Sequence, residues 1–484
     1  MKKTLILTLF ILLSTMVRAQ DEFNCFSILV GRNASVDGSV LFAHIEDDYG
    51  KQLVNWYAVS KEAYHEGSEF VLKNGGRINQ PPFTNKYLWL EMPGMDFSDS
   101  YLNEYGVCIA SNSCPSREDN PEITNGGIGY NLRQLMAERA VSARDAVVLA
   151  GQLIEKFGYT SSGRTYSIAD QNEAWVLAVV AGKHWVAQRI PDDQVMVLPN
   201  NYTIREVDLS DQEHFLACPD LIEYAVKRGW YDPATDGPFR FRDCYAAKNS
   251  ISNPGNVNRA WGAYYLLKTG FGLKDDFPFS FKPAEPLSKE NLMFILRSHY
   301  EGTDLDKSEG YTKGSPYQVN GTMICGKASV YGFVAELRNW MPADLGCVIW
   351  LAPQWPDIQP FLPLYSGVAS MPAGFNRPGY LNSIDNHYNP PSDIHERDDQ
   401  HAFWKFVRFS ELINSGYGKY INTVRKEVGK IEKKILSDQA RLEIKLLQVH
   451  ESSPEAARKA LTSLYANYSR LALRMTEKLT KELN

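Results

Sequence analysis

The sequence lacks the short paired motifs that mark most metal and redox sites. No Cys-x-x-Cys, His-x-x-x-His or His-Glu-x-x-His pattern occurs in its 484 residues, so we predict neither a metal ion nor a cofactor. Basic residues are not in excess either: 51 Lys and Arg stand against 57 Asp and Glu, a net charge of -6. Nucleic-acid binding requires a concentrated basic surface, so we exclude nucleic acid as a partner.

A membrane-spanning run is also missing. The longest apolar run, from Thr4 to about Val17, is shorter than the roughly 20 residues of a transmembrane helix. It follows Lys2-Lys3 and ends at Val17-Arg18-Ala19, which is the layout of a secretory signal peptide. We therefore predict a signal peptide over residues 1–19, a leader over residues 20–24, and a periplasmic or extracellular protein without membrane attachment. An uncleaved N-terminal anchor is the alternative.

The seven cysteines are an odd number for a secreted chain, which leaves at least one thiol unpaired. Cys325 and Cys347 lie in apolar, strand-like runs and are predicted core residues. Cys25 stands directly after the predicted leader. If the chain begins there, one residue carries a thiol, with a pKa of about 8.5, and an α-amine, with a pKa of about 7.7–8.0, that can accept the thiol proton. Half of a disulfide or a buried strand residue are the alternatives for Cys25.

The pattern along the chain predicts an α+β fold. Two apolar runs around the turn at residues 33–38 indicate a β-hairpin that begins at Cys25. Residues 129–157 have helical spacing with a break near Ser142, and strands are expected at residues 321–324, among other places. The segment from 372 to 400 is an expected irregular loop. Residues 401–484 are expected to form a helical hairpin, and a break in its first helix at residues 416–418 is left open. The main domain is therefore expected at residues 25–371.

The segment CFSILVGRNASVDGSVLFAHIEDD, residues 25–48, resembles the start of the secernin-related bacterial cysteine dipeptidases. More distantly, it is similar to penicillin V acylases and bile-salt hydrolases. The resemblance continues in order along the chain to about residue 370. Its further motifs are GGIGYNLRQLMAERAVSARDAV at 126–147, IADQNEAWVLAVVAGKHWVAQRI at 168–190, NNYTIREVDL at 200–209 and YGFVAELRNWMPADLGCVIWLAP at 331–353.

The resemblance implies the four-layer αββα fold of N-terminal-nucleophile hydrolases. It also implies that Cys25 is the nucleophile and that Asp47 accepts a hydrogen bond from its α-amine. His44 stands where these families have arginine, and Ile45 where they have asparagine. A neutral imidazole cannot supply the constant charge of a guanidinium, so this departure bears on substrate range. An exposed position at a strand end is the alternative for His44.

Further positions match residues of the family's catalytic site. Asn112 falls beside the expected oxyanion hole, and Asn200 matches the asparagine that donates to the oxyanion, with an error of one residue to Asn201 left open. Arg259 matches a positive residue near the nucleophile. The alternatives are that Asn112 and Asn200 are turn residues and that Arg259 lies on the surface of a helix. His44 and Glu46 are the expected substrate contacts, with Glu46 near the free N-terminus of the substrate.

These features together predict a secreted cysteine dipeptidase that acts on small peptides, with removal of the leader by Cys25 itself as a hypothesis. Two alternatives remain open. An acylase of the same fold would have a more apolar pocket, and a binding protein would have kept the fold and lost the chemistry. The oligomeric state is left open by the sequence.

Overall fold

The computed structural model describes residues 25–48, 52–377 and 384–483. The predicted signal peptide and leader lie outside these residues. Within the described ranges, no helix combines the length and the apolar character needed to cross a membrane.

Sixteen β-strands are present in the described part of the chain. Their bounds are β1 Phe26–Val30, β2 Val40–Asp47, β3 Asn55–Val59, β4 Glu69–Val71, β5 Arg77–Asn79, β6 Tyr87–Glu91, β7 Ser100–Asn103, β8 Cys108–Ser113, β9 Tyr159–Ala169, β10 Ala174–Gly182, β11 Trp185–Arg189, β12 Val195–Leu198, β13 Phe215–Ala217, β14 Ser329–Leu337, β15 Cys347–Pro353 and β16 Leu362–Tyr365.

The helices lie mostly between and after the strand blocks. Their bounds are α1 Asn131–Arg139, α2 Ala143–Phe157, α3 Leu221–Lys227, α4 Phe241–Tyr245, α5 Lys248–Ile251, α6 Pro254–Leu266, α7 Lys289–Ile295, α8 Pro316–Val319, α9 Ala343–Gly346, α10 Ile384–Tyr388, α11 Ala402–Ser415, α12 Tyr417–Ser452 and α13 Pro454–Leu483, with a short 3-10 helix at Arg32–Ala34.

Two antiparallel sheets form the centre of the molecule. One has the strand order β12-β1-β2-β14-β15-β16, and the other β13-β11-β10-β9-β8-β7-β6-β3. Strands β1, β2, β10, β14 and β15 are buried along their whole length, as expected for strands covered on both faces. Helices α1 and α2 pack on the larger sheet, whereas α7 and α13 pack on the smaller one. The predicted four-layer αββα fold is therefore confirmed.

Several local predictions are confirmed by the structure. Strands β1 and β2 pair as an antiparallel hairpin, with Ser27 opposite His44. The break near Ser142 separates α1 from α2, because the Ser142 side chain accepts a hydrogen bond from the backbone N–H of Asp145 and caps α2. At the C-terminus, Gly416 separates α11 from α12, and α13 begins at Pro454.

One local prediction is wrong. Residues 321–324 form no strand; they belong to a loop that lines a large cavity, and their apolar side chains Met323 and Ile324 are buried without strand pairing. The described residues of the segment from 372 to 400 are irregular apart from the short helix α10. This helix carries the buried His387, whose Nδ1 lies 2.7 Å from Glu91 Oε1.

Candidate active site

Cys25 lies immediately before β1, a central strand of the smaller sheet. It is 2% exposed, and its thiol is not part of a disulfide. Its Sγ atom donates a hydrogen bond to Glu46 Oε1 at 3.3 Å and lies 3.8 Å from the backbone oxygen of Asp47. The hairpin of β1 and β2 creates this contact, because the head of the first strand meets the end of the second.

The backbone carbonyl of Cys25 is held from two directions. Asn112 Nδ2, on β8 of the larger sheet, donates to this oxygen at 2.8 Å, and Arg259 Nη1, on α6, donates at 2.7 Å. Asn112 Nδ2 also donates to the carbonyl of Leu198 at 3.2 Å. These bonds tie the first strand to the facing sheet and to a helix, so the backbone at Cys25 is fixed on both sides.

A chain of hydrogen bonds runs from the thiol through four further side chains. Since Asn112 Nδ2 faces two carbonyl oxygens, its Oδ1 must face Ser27 Oγ, at 2.9 Å, and Ser27 must donate to it. His44 Nδ1, 2.8 Å from Ser27 Oγ, is then the donor to that oxygen. For a neutral imidazole, Nε2 is left as an acceptor. Glu46 Oε2, 3.0 Å away, must carry the proton that this bond requires.

The pKa values agree with this assignment of protons. Burial, with a smaller effect of Arg133, lowers the pKa of His44 to about 3, so the imidazole is neutral near pH 7. Burial raises the pKa of Glu46 to about 8, which keeps this carboxyl group protonated at neutral pH. Burial also raises the pKa of the Cys25 thiol well above its ordinary value, and Glu46 and Asp47 raise it further when they are ionised. The thiol therefore needs an adjacent base to ionise.

Asp47 is the last residue of β2 and lies at the edge of the cavity. Ser329 Oγ donates to Asp47 Oδ1 at 2.7 Å, and Ser329 in turn accepts from the backbone N–H of Gly326 at 3.1 Å. Burial raises the pKa of Asp47 to about 7, against the opposing effects of Ser329 and Arg259. The site thus holds two buried carboxyl groups that take up protons readily.

Asn200 and Arg259 form a second polar group beside Cys25. Arg259 Nη2 donates to Asn200 Oδ1 at 3.0 Å and to Asn256 Oδ1 at 2.8 Å, and Asn200 Nδ2 donates to the carbonyl of Ser113 at 2.9 Å. Arg259 is fully buried, so its interpretation as a surface helix arginine is wrong. The neighbouring Asn201 donates to the carbonyl of Ser250, at 3.5 Å.

A cavity of about 1320 Å³ opens beside Asp47. Its volume exceeds the roughly 300–1,000 Å³ of an ordinary small-ligand pocket. The wall comes from the end of β2, the segment from 317 to 330 and helix α11. It carries charges of both signs, from Asp48, Lys327, Glu396, Arg397 and Glu411.

The structure thus brings together all the residues that the sequence analysis proposed for the site. The interpretation of His44 as an exposed strand-end residue is wrong, because its side chain is fully buried. Neither His44 nor Glu46 lines the cavity, so their contact with substrate stays a prediction. Sequence reasoning missed Ser27 and Ser329. Strand alternation could have found Ser27, which shares a face with Cys25, but no local signal relates Ser329 to Asp47.

Comparison with known proteins gives one family match and several dipeptidase relatives. The model of peptidase family C69 matches residues 24–429. A probable dipeptidase of Latilactobacillus sakei is 25% identical over 434 residues, covering 87% of this chain and 86% of the relative. The dipeptidase of Bifidobacterium longum is 26% identical over 392 residues, covering 72% of each chain. Dipeptidase A of Lactobacillus helveticus is 26% identical over 371 residues, covering 72% of this chain and 77% of the relative. These matches confirm the resemblance to bacterial dipeptidases.

Among solved structures, a variant of the conjugated bile acid hydrolase from Clostridium perfringens is similar. It has a TM-score of 0.32 and 12% sequence identity, and the match covers 68% of this chain and 89% of that one. This similarity is too low to support a conclusion about function.

Proposed function

This chain belongs to peptidase family C69, and from that premise we propose that it is a secreted dipeptidase whose nucleophile is the thiol of Cys25. One observation carries the proposal. The thiol of Cys25 lies 3.3 Å from the carboxyl group of Glu46, and the backbone carbonyl of Cys25 accepts hydrogen bonds from Asn112 and Arg259. A residue with only a packing role would not require this density of buried polar contacts, each of which is costly unless satisfied.

The base in this proposal is the α-amine that Cys25 gains when residues 1–24 are removed. Glu46 is a poor base for the thiol because it is itself protonated at neutral pH and donates its proton to His44. His44 is equally poor because its pKa is about 3. A free α-amine, with a pKa of about 7.7–8.0, is well matched to accept the thiol proton at neutral pH.

The reaction then has two halves. The α-amine takes the thiol proton, the sulfur attacks the peptide carbonyl carbon, and an oxyanion forms. Asn200 is the proposed donor to this oxyanion, a contribution of about 3–4 kcal/mol in comparable enzymes. The C–N bond breaks as the leaving amine receives the proton. Water then hydrolyses the thioester, which releases the acid and restores the thiol.

The charge of the cavity wall supports dipeptides over N-acyl amides as substrates. A free dipeptide carries an ammonium and a carboxylate, and the wall offers acidic and basic side chains, including Glu411 and Lys327. An acylase would be expected to have a more apolar pocket.

Hydrolysis of a dipeptide library by the secreted protein tests the proposal. We expect Cys25→Ala to reduce kcat/KM by about 10³-fold or more, since covalent catalysis is lost. Cys244→Ala, which removes a different buried thiol, is the matched control and should retain activity. A Cys25→Ala enzyme with more than a tenth of the wild-type rate would refute the assignment of Cys25 as the nucleophile. Hydrolysis of N-acyl amides alone would favour the acylase, and no hydrolysis at all would favour the binding protein.

A further inference from the structure

A second group of reactive side chains lies outside the proposed catalytic residues. His299, Cys325 and Asp357 are buried together, and one ligand atom from each falls within 4.8 Å of the others. They come from three separate loops: after α7, before β14 and after β15. Together they offer an imidazole, a thiol and a carboxyl group, which are the three side-chain types that bind Zn²⁺ in proteins.

We propose that His299, Cys325 and Asp357 form a zinc site that fixes the wall of the cavity. Cys325 Sγ lies 3.6 Å from Asp357 Oδ1, and His299 Nε2 lies 3.8 Å from Asp357 Oδ2. Around a tetrahedral zinc ion, with bonds of about 2.0–2.3 Å, neighbouring ligand atoms are about 3.3–3.6 Å apart. The thiol and the imidazole lie near different oxygens of Asp357, and the three ligand atoms fall within 4.8 Å of one another, so they must move closer together to enclose an ion.

The unsatisfied imidazole of His299 points independently to a ligand. His299 is fully buried, and within the described ranges neither ring nitrogen makes a hydrogen bond of good geometry. A buried ring nitrogen without a partner is costly. Its Nε2 faces Asp357, on the side where the ion would lie. Coordination of a metal ion by Nε2 would satisfy this atom.

Neighbouring side chains are placed to orient two of the three ligands. Glu301 Oε1 lies 3.4 Å from His299 Nδ1, the position of the carboxylate that orients a zinc-bound histidine. Tyr317 and Tyr417 donate to the two oxygens of Asp357 at 2.5 Å and 2.6 Å, which fixes the carboxylate ligand in turn.

Charge balance favours an ion of charge +2. Zn²⁺ would bind Cys325 as a thiolate, and the S–H bond breaks as the Zn–S bond forms, with the proton released to solvent. With one thiolate, one carboxylate and a neutral imidazole, the occupied site has no net charge. A neutral site is less costly to bury than one that carries a net charge. The fourth position would hold water.

A zinc ion bound at this site would affect the catalytic site through one short segment. Gly326 follows Cys325, and its N–H donates to Ser329, which donates to Asp47. Fixing Cys325 would therefore order the segment that orients Asp47. The site thus has a positioning role and takes no part in the chemistry.

Metal content of the whole protein tests the proposal, and it needs no substrate. Metal-free Cys25→Ala protein, which removes the catalytic thiol as a competing ligand, is loaded with Zn²⁺ or Co²⁺. We expect one ion per chain by elemental analysis and, for Co²⁺, a thiolate-to-metal charge-transfer band. Adding Cys325→Ser should remove the band and weaken Zn²⁺ affinity at least 100-fold. Adding Cys347→Ser, the control for another buried thiol, should change neither.

A second variant covers the case in which Cys325→Ser fails to fold. Glu301→Gln leaves all three ligands in place and should weaken Zn²⁺ affinity about 10–100-fold. Less than a tenth of an ion per chain, or no charge-transfer band with Co²⁺, would overturn the proposal. Equal affinity in the Cys325→Ser protein would also overturn it.

Discussion

Glu46 and His44 share one hydrogen bond in which the carboxyl group holds the proton, and this has a consequence for stability. Because burial raises the pKa of Glu46 to about 8, the folded protein binds this proton more tightly than the unfolded chain does. The associated stability is fully present below the ordinary pKa of a glutamate and is lost as the pH rises through about 8. Asp47, with its pKa raised to about 7, acts in the same direction.

We therefore expect Glu46→Gln to stabilise the protein selectively at alkaline pH. A glutamine amide is shaped like the protonated carboxyl group: its oxygen can accept from Cys25 and its nitrogen can donate to His44, at any pH. Urea unfolding midpoints at pH 6 and pH 9 check this. The midpoint should fall less between these values in the variant than in the wild type.

The exposed Glu66 supplies the control for this comparison. Glu66→Gln should leave the pH dependence of the midpoint unchanged. A Glu46→Gln protein with the wild-type pH dependence would mean that Glu46 is already ionised at neutral pH, and the direction of the hydrogen-bond chain would then be wrong.

Substitution of Asp47 is expected to change the turnover number more than substrate binding. Asp47→Asn keeps an oxygen that can accept from Ser329 but removes the charge that would orient a protonated α-amine. We expect kcat for dipeptides to fall about 10²-fold, as for other lost acid–base groups, with KM changed much less. Steady-state kinetics at pH 7 measure both values, and an unchanged kcat would contradict the role of Asp47.

At the scale of elements, helix α12 is attached to the smaller sheet by a buried ion pair. Arg338, directly after β14, makes two bonds of 2.8 Å to the carboxylate of Glu443. The two side chains are only 5% and 8% exposed. Tyr365 donates to the same carboxylate at 2.9 Å. A buried charge that loses its partner is strongly destabilising, so this contact fixes the helix on the sheet.

We expect Glu443→Ala to lower the free energy of unfolding by about 3–5 kcal/mol, because it removes the carboxylate that accepts two hydrogen bonds from the buried Arg338. Chemical denaturation measures the change. Glu455→Ala is the matched control, since Glu455 and Lys459 form a pair in which both side chains are 76% exposed. Such surface pairs contribute about 0–1 kcal/mol. Equal effects of the two substitutions would show that burial does not determine how much this ion pair contributes to the free energy of unfolding.

At the scale of the whole molecule, the proposal requires a chain that begins at Cys25. We expect the intact mass and N-terminal sequence of the secreted wild-type protein to correspond to residues 25–484. Cys25→Ala should retain residues 20–24 if the thiol performs the cleavage. A wild-type chain that begins at Gln20 would leave the amine in a peptide bond. The amine could not then act as a base, and a separate protease would be required.

The cavity also belongs to the whole molecule. Its wall combines the end of β2 with Trp404 and Glu411 of helix α11, although these residues are more than 350 positions apart in the sequence. The sequence analysis treated residues 401–484 as a separate helical hairpin, and nothing in the helical periodicity relates this segment to the nucleophile. Only packing shows that α11 contributes to the proposed substrate cavity.

Sequence reasoning was most successful where the cause is local. The hairpin at Cys25, the cap at Ser142 and the helices after residue 401 depend on alternation, turn residues and spacing within a few positions. It failed at residues 321–324, where Met323 and Ile324 are buried but the segment forms no strand. Whether such a segment forms a strand depends on a neighbour supplied by distant sequence.

The sequence by itself determined the local elements and, through Cys25 and the motifs that follow it, the family. The tertiary structure decided which side chains meet. The hydrogen-bond chain from Cys25 to Asn112 crosses between two sheets, and the cluster of His299, Cys325 and Asp357 joins three loops. Hydrogen bonds and metal ligation act over about 2–3 Å. Strand order, register and sheet packing bring distant residues within that range, and none of these is set by residues adjacent in the chain.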